Sequence, residues 1–537
     1  MASSSNAEHH AGRPPWGLTL GATAIGLVFA GPLGYVVWQN LDLGSDFADV
    51  VFSPDTIGPL RRSLVLATSV ACSAAVIGTL LAWLIVRSDL PGRGLWRVLA
   101  PLPLVFPSFV GATALISGFA TGGLLERVVQ PLGMDQLPEL AGFRAAWFVL
   151  TLFTYPYVYL LVGARLRRLP ASLEESARLL GHRPMSVFTT IVLPQARTAI
   201  SAGTLLVFLY TVSDFGAVEL LRYDTLTRSI YASRLVDRPT AMALSLLLGA
   251  VAVVVVAAER ALVRRDPPLS GRTGGSGMRI RLGRWRWPAF AAVVAFVGFA
   301  IVGPVSSLAY WTIRGIDATR STGSLAVSAD GIGRAISNTV LISLATAVAT
   351  VTVVLPIAYL TTRYRSRVGG AANGLVVGGF ALPGLVTALA LVFWVLNAPA
   401  LAGLYQTLPI LLLAYVIHFG AMASRPSQVA VATVPMRLED AARMLGAGRA
   451  RRFLTIEAPL MAPGLLAAAG LVLLSAMKEL PATLLLAPIG FDTLATRIWA
   501  SMDNVSYAQA GLESMVLLAV SAVLTWLFVI RAADRLD

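Results

Sequence analysis

The sequence consists largely of apolar blocks, each about as long as a helix that crosses a membrane. A spanning helix needs about 20 mostly apolar residues. We predict spans at 17–38, 63–86, 98–120, 144–163, 199–221, 240–259, 287–311, 338–361, 372–396, 404–423, 464–487 and 508–530. Charged residues make up only 13% of the chain, against about 25% in soluble domains. The predicted fold class is therefore an all-α polytopic membrane protein with about 12 transmembrane helices.

The basic residues predict how the chain is oriented in the membrane. Most of them lie in both tails and in the loops at 87–97, 164–198, 260–286, 362–371 and 424–463. Cytoplasmic loops carry an excess of Arg and Lys, so both termini are predicted to be cytoplasmic. The net charge of +14 therefore reflects orientation and contact with membrane lipid, and no nucleic-acid partner is predicted.

The chain is also a tandem repeat. At an offset of 276, "LAWLIVRSDLPGR" aligns with "IAYLTTRYRSRVG", which places Arg87 on Arg363. Further along the chain, the same offset places Pro107 on Pro383. Six spans per repeat is an even number, so the repeats are predicted to be parallel and related by an axis along the membrane normal. The predicted domains are a disordered tail at 1–15, a first repeat at 16–260, a cytoplasmic linker at 261–286 and a second repeat at 287–537.

Each repeat contains a charged stretch that interrupts the apolar pattern, "LEESARLLGHRP" from 173 and "LEDAARMLGAGR" from 438. In the first copy Leu173, Ala177 and Leu180 have helical spacing, which predicts one apolar stripe on a short amphipathic helix. Gly181 and Gly446 are placed to end these helices in a left-handed conformation. A single copy is compatible with an interfacial helix on the lipid headgroups, whereas two copies favour a two-fold symmetric partner.

The two stretches resemble the EAA loop of ATP-binding-cassette (ABC) importer permeases. The first copy matches at Glu175, Ala177 and Gly181, and the second has Asp440 in place of the glutamate. The resemblance implies a type I, MetI-like transmembrane domain whose coupling loops, 170–197 and 435–462, dock on an ATPase. The coupling residues that it implies are Glu174, Glu175, Ala177, Gly181, Glu439, Asp440, Ala442 and Gly446.

ATP hydrolysis is not predicted for this chain. A P-loop requires a lysine after its glycines, and the lysine at Lys478 follows no such motif. The resemblance implies a separate dimer of ATP-binding subunits that uses ATP and Mg, while the chain itself binds no cofactor and is not an enzyme. It also implies a bacterial inner membrane and an extracytoplasmic solute-binding protein.

The cargo is suggested by "SDFGAVELLRYDTLTRSIYAS" from 213 and "MKELPATLLLAPIGFDTLATRIW" from 477. These stretches resemble the fused ferric-iron importer permeases, which work with an iron-binding protein, and fused thiamine permeases have a similar layout. Asp214 and Glu479 occupy equivalent repeat positions, and oxygen ligands suit hard cations. Either acid could line a translocation path or be paired structurally. No metal site is assigned.

Three further features leave alternatives open. Asp224 and Asp492, each before Thr-Leu, could form turns or contact the docking protein. The four histidines have no metal-ligand spacing, and His418 is predicted to be a satisfied interhelical histidine. An ion-coupled secondary transporter could also have parallel repeats, but it would need several buried ionisable groups in its spans.

Overall fold

The computed structural model is mostly helical over the described part of the chain. The described residues are 14–42, 44, 46–133, 137–169, 179–181, 184–264, 280–322, 327–379 and 382–527. Within them, ten helices are long and apolar enough to span a membrane, and two bent pairs bring the number to as many as 12. The predicted all-α membrane fold is confirmed.

The first half of the chain contains twelve described α-helices. They are α1 Trp16–Leu41, α2 Asp46–Val51, α3 Pro54–Arg87, α4 Arg93–Leu99, α5 Ser108–Phe119, α6 Leu124–Val129, α7 Gly142–Arg168, α8 Pro184–Val187, α9 Leu193–Ser213, α10 Gly216–Leu220, α11 Leu226–Ser233 and α12 Arg238–Arg264. A π-helical turn, Phe188–Val192, joins α8 to α9.

The second half repeats this order. Its helices are α13 Arg286–Thr322, α14 Ile332–Thr362, α15 Arg367–Gly379, α16 Gly384–Asn397, α17 Leu408–Thr433, α18 Met436–Met444, α19 Arg449–Arg452, α20 Ala458–Ala476, α21 Pro481–Leu486, α22 Leu494–Asp503 and α23 Tyr507–Thr525. A second π-helical turn, Phe453–Glu457, joins α19 to α20.

Two predicted spans, 98–120 and 372–396, are broken and not straight. The chain bends by 92° between Arg93–Val105 and Ser108–Phe119, and by 102° between α15 and α16. Pro107 and Pro383 stand immediately before the second limb, each with an extended ψ near 146°. Proline fixes φ and has no N–H to donate, so the helix ends and a new one starts in another direction.

Two further spans end earlier than predicted. The span predicted at 199–221 stops at Ser213, and the span at 464–487 stops at Ala476. In both cases a short helix follows after a break that contains the intramembrane acid. By contrast, Pro194 does not separate an amphipathic helix from the membrane span, because the π-helical turn before it accommodates the proline near the first turn of α9.

The described residues pack into two compact units. Unit I comprises residues 45–329 and 498–518, and unit II comprises the described parts of 1–44, 330–497 and 519–537. Each unit therefore contains most of one repeat together with the first helix of the other. In unit I, α13 packs on α5, where Ser117 and Ser307 hydroxyls lie 3.1 Å apart. In unit II, α1 packs on α15, with Gly26 against Ala372.

The predicted linker at 261–286 is described only at its two ends. Helix α12 continues to Arg264, and Ile280 already pairs with the chain after α3, where its N–H donates to the Arg87 carbonyl at 2.8 Å. Residues 265–279 of this linker, and most of the predicted tail, lie outside the described residues. The repeat boundaries themselves stay predictions.

Candidate coupling segments and intramembrane acids

The second coupling segment is a helix that ends in a left-handed glycine. Helix α18 is followed by Leu445 and then Gly446, whose φ is +77°. The Gly446 N–H donates to the Arg443 carbonyl, and the Ala447 N–H donates to the Ala442 carbonyl, both at 3.0 Å. These two bonds form a Schellman motif. The predicted left-handed stop at Gly446 is confirmed.

The first coupling segment is described only in part. Gly181 has a φ of +83°, as predicted. Glu174, Glu175 and Ala177 lie outside the described residues, so their predicted coupling role stays a prediction.

Glu439 is held at the base of α18 by an ion pair. Its Oε1 lies 3.1 Å from Nη2 of Arg363, and both side chains are about one-tenth exposed. The same Nη2 donates to the Val434 carbonyl at 2.5 Å, just before α18 begins. Burial raises the pKa of the Glu439 carboxyl, and the Arg363 guanidinium opposes that rise. The pair fixes the start of the coupling helix to the end of α14.

Of the predicted apolar stripe, Leu173 and Ala177 lie outside the described residues, and the apolar side chains that end both segments are exposed. Leu180, predicted to belong to the stripe, is 80% exposed, and Leu445, its counterpart in the second copy, is 87% exposed. Met444 beside it is 90% exposed. Instead, Ala442 and the acidic Glu439 are buried, because Arg363 compensates the charge of Glu439. The helix therefore presents apolar side chains outward at its end, as a protein-docking surface does.

Asp440 has a different environment from its neighbour Glu439. Its side chain is 58% exposed, and its carboxylate lies 3.6 Å from Nη1 of Arg443 one helical turn later. An exposed pair of this kind contributes little to stability. Asp440 is therefore available at the surface beside Met444 and Leu445.

Arg87 and Arg363 occupy equivalent positions of the two repeats, and the sequence pattern indicates no role for either. Arg87 is 2% exposed, and its Nη2 donates to the carbonyls of Leu166 and Leu169 at 2.7 and 3.2 Å. Leu169 and Val434 are equivalent at the offset of 265 residues that relates the two coupling segments. Both arginines therefore bind the carbonyl that leads into a coupling segment. An arginine at the end of a span in both copies was the signal available for this role.

The second repeat has an additional polar network beside its coupling segment. Glu457, which is 4% exposed, accepts hydrogen bonds from Arg452 Nε and from the Tyr359 hydroxyl, both at 2.7 Å. The equivalent residues of the first repeat are Val187 and Val192, and both are buried. This network is therefore not part of the duplicated arrangement.

Asp214 lies in the break after α9 and organises it. Its Oδ1 accepts from the N–H groups of Ala217 and Val218 at 3.0 and 3.4 Å, at the start of α10. The Ser108 hydroxyl hydrogen-bonds the same carboxyl group. Ser108 is the first residue of α5, directly after the bend at Pro107. The acid thus ties the broken fifth span to the broken third span.

Glu479 has the equivalent position in unit II. Its Oε1 accepts from the Ala482 N–H at 3.2 Å, at the start of α21, and its Oε2 lies 4.0 Å from Nε2 of His418. A Cβ at Gly384, the first residue of α16, would lie 2.8 Å from Oε1. Gly384 is the repeat equivalent of Ser108. In the second repeat the longer acid Glu479 therefore faces Gly384, whereas in the first repeat the shorter acid Asp214 faces Ser108.

These contacts give both acids a structural partner, which was one of the two predicted roles. Each carboxylate lies at the N-terminal end of short helices, where N–H groups and the helix dipole stabilise negative charge. His418 lies near Glu479, consistent with its predicted place between helices. A role in the translocation path stays a prediction. Among the described residues, no group of three or more His, Cys, Asp or Glu side chains is placed to hold a metal ion.

The two Asp-Thr-Leu segments start equivalent helices. The N–H of Leu226 donates to the Ser63 hydroxyl at 2.7 Å, and that of Leu494 donates to the Thr339 hydroxyl at 2.9 Å. Asp224 forms a short ion pair with Arg228 one turn later. These contacts agree with the predicted turn role, while a contact with a docking protein stays a prediction.

Comparison with known proteins agrees with this duplicated architecture. Residues 74–265 and 354–537 each match the family described as binding-protein-dependent transport system inner membrane component. The chain belongs to this family. It is a permease of an ABC importer with two family domains in one chain, each carrying one coupling segment and one intramembrane acid.

Three relatives show how far the similarity extends. The chain is 31% identical over 95% of its length to Fe(3+)-transport system permease protein FbpB 2 of Haemophilus influenzae, of which it covers 97%. It is 27% identical to the sulfate transport system permease protein CysT of Salmonella typhimurium, over 49% of this chain and 94% of CysT. It is 32% identical to the molybdenum transport system permease protein ModB of Mycobacterium tuberculosis, over 39% of this chain and 81% of ModB.

Proposed function

We propose that this permease carries ferric iron across the bacterial inner membrane. The observation that carries the proposal is the similarity to the Haemophilus influenzae Fe(3+) permease, which extends over 95% of the chain and therefore over both repeats. The sulfate and molybdenum permeases align with about half of the chain or less. Carboxylates such as Asp214 and Glu479 are the kind of ligand that a hard cation prefers.

The motor of the transporter is a separate dimer of ATP-binding subunits that uses ATP and Mg. The outward-facing side chains at the ends of the two coupling segments support this partner, since Leu179, Leu180, Met444 and Leu445 are each at least 80% exposed. Apolar side chains of this exposure at a charged helix end favour docking of another protein. Each ATPase subunit would bind one segment, with Asp440 and its counterpart Glu175 at the contact.

Transmission of motion follows from how the second segment is anchored. Arg363 joins Glu439 and the Val434 carbonyl to the end of α14, with contacts of 3.1 and 2.5 Å. A buried pair of this kind resists separation, so displacement of α18 by the ATPase would move α14 with it. Both coupling segments and both termini face the cytoplasm in this proposal, in accordance with the distribution of basic residues.

The chain itself carries out no chemistry on the cargo. An extracytoplasmic iron-binding protein would deliver the ion, and the ATPase subunits would supply the free energy. Family membership replaces the alternative of an ion-coupled secondary transporter, because a permease of this family works with a binding protein. Thiamine remains the alternative cargo, since the fused architecture would serve it equally well.

Uptake of radiolabelled ferric iron and thiamine tests the proposal in cells that lack this chain. The cells are complemented with wild type, with the double variant Gly181→Asp and Gly446→Asp, or with Gly283→Asp. A Cβ strains a left-handed residue, and a negative charge is unfavourable at the C-terminal end of a helix. Gly283 is also left-handed, at φ +54° with open space around its Cα, but it lies outside both segments.

The outcomes separate cargo from coupling. Iron uptake by wild type and Gly283→Asp, but not by the double variant at equal membrane abundance, would support both parts of the proposal. Restored thiamine uptake without iron uptake would refute the cargo. Undiminished transport by the double variant would refute the coupling role.

A further inference from the structure

A cavity in unit II lies between the membrane helices and the second coupling segment. Its volume is about 360 Å³, within the usual range of ligand sites. The lining combines an apolar wall, which includes Leu18, Leu355 and Phe453, with a basic wall, which includes Arg443, Arg449 and Arg452. Tyr359 and Tyr364 also line the cavity.

The basic wall carries an excess of positive charge. It has three arginines and one acid, Glu457, and that acid is already bonded to Arg452 at 2.7 Å. Arg443 has only the exposed contact with Asp440 at 3.6 Å. Among the described residues, no carboxylate lies within ion-pair distance of Arg449. Arg449 therefore adds a positive charge at the cavity that is unpaired within the described residues, and the exposed pair with Asp440 leaves the Arg443 guanidinium accessible to an anionic ligand.

The apolar wall belongs to helices that cross the membrane. Leu18 lies on α1, and Leu355 and Pro356 lie on α14, both of which are candidate spans. Leu355 and Phe453 also pack against a buried hydrophobic cluster formed by Ala358, Ala430, Val431, Val434 and Met461. This wall is consequently part of the packed apolar interior of unit II.

The first repeat differs from the second at three of these positions. The positions equivalent to Arg449, Arg452 and Glu457 are Pro184, Val187 and Val192, with Val187 and Val192 buried. Trp83 and Phe188, at the positions equivalent to Tyr359 and Phe453, pack with ring centroids 5.1 Å apart, and the pair in the second repeat packs at 6.5 Å. ATPase docking acts on both copies, so it does not explain why these three positions are charged in the second copy and apolar in the first.

We propose that this cavity binds the headgroup of one anionic phospholipid, such as phosphatidylglycerol. The phosphate lies against Arg443 and Arg449, the tyrosine hydroxyls face the glycerol, and the first acyl methylenes contact Leu18 and Leu355. Basic pockets between transmembrane helices recognise anionic headgroups in this way. The lipid connects α1, α14 and the coupling segment of the second repeat, and makes that repeat sensitive to membrane composition.

Native mass spectrometry of the full-length chain in detergent tests this site. Dioleoyl phosphatidylglycerol is titrated against dioleoyl phosphatidylcholine, with inorganic phosphate as a separate arm. One saturable phosphatidylglycerol molecule is expected, bound more tightly than phosphatidylcholine. Arg443→Gln with Arg449→Gln should weaken it about 30-fold, because each basic residue near a headgroup contributes roughly fivefold. Both arginines are exposed, so folding should be retained.

Two matched controls keep the test specific. Arg437→Gln with Arg451→Gln removes the same charge from the same two helices, but neither residue lines the cavity. Leu18→Trp fills the cavity without changing charge and should also weaken binding, whereas Leu20→Trp, on an exposed position of α1, should not. Equal weakening by both arginine pairs, equal binding of the two lipids, or complete competition by inorganic phosphate would each overturn the proposal.

Discussion

Gly446→Ala tests whether the left-handed glycine holds the second coupling segment in shape. Gly446 has a φ of +77°, and a Cβ added there would meet no atom within 4 Å. The substitution therefore introduces no clash, and its cost is that of placing an L-residue in the left-handed region, about 1–2 kcal/mol. Opening of the turn releases this strain, so the opening equilibrium should rise about 5- to 30-fold.

Hydrogen exchange reads this change directly. The amides of residue 446 and Ala447 donate to the carbonyls of Arg443 and Ala442, and they exchange only when the turn opens. Peptides covering residues 438–450 should therefore lose protection about 5- to 30-fold in Gly446→Ala. Peptides from α14 should be unchanged, because the opening is local.

Gly448→Ala is the matched control, two residues away in the same loop. Gly448 has a φ of −63°, a value open to alanine, and its surroundings are also empty. Its exchange should stay at the wild-type level. Gly446→Asn should fall between the two, because asparagine tolerates the left-handed region better than alanine. Equal exchange in Gly446→Ala and Gly448→Ala would refute the backbone argument.

Three shorter predictions concern the buried charges. Arg363→Met should destabilise unit II by about 3–5 kcal/mol, because it leaves the Glu439 charge buried without its partner. Thermal unfolding of the double variant with Glu439→Leu should show that most of this loss is recovered. No recovery would contradict the pairing of Arg363 with Glu439. Burial raises the pKa of Glu439 in the folded protein. The contribution of Glu439 to stability is therefore complete below the ordinary glutamate pKa, and it falls as pH rises through the raised pKa of the folded state. The difference in Tm between wild type and Glu439→Gln should therefore shrink with rising pH, and growth of that difference would show that the attraction of Arg363 dominates. Asp214→Asn keeps an oxygen that accepts from the Ala217 N–H and should fold normally, whereas Asp214→Ala should lose about 1–3 kcal/mol of stability. Iron uptake by Asp214→Asn at the wild-type level would show that the translocation path does not require the charge of Asp214.

The helices could be predicted from the sequence because apolar blocks of spanning length have one main interpretation in a membrane. Their breaks were less accessible. Pro107 and Pro383 stand in apolar runs, and prolines also occur inside straight helices here, such as Pro156 and Pro356. Whether a proline breaks a span depends on whether a partner hydrogen-bonds the start of the new helix. For the helix after Pro107 that partner is Asp214, about one hundred residues later in the chain.

Which face of the coupling helix is buried was not accessible for a related reason. Helical spacing places apolar residues on one side of a helix, but it does not say that this side is buried, and in the second copy Leu445 is exposed whereas Glu439 is buried. The deciding contact comes from Arg363, in another helix. A local pattern contains no information about such a distant charge.

The two repeats serve as internal controls for each other. Contacts that recur in both include the arginine bond to the carbonyl before each coupling segment and the hydroxyl that caps each Asp-Thr-Leu helix. Such recurrence is expected where both halves perform the same mechanical task. Contacts found in one copy have a different cause, because a shared task would act on both. The Arg452 and Glu457 pair belongs to this second group. Exchanging the glycine turns at Gly181 and Gly446 between the two repeats should therefore be tolerated. Exchanging the residues beside α19 that line the cavity should not be tolerated.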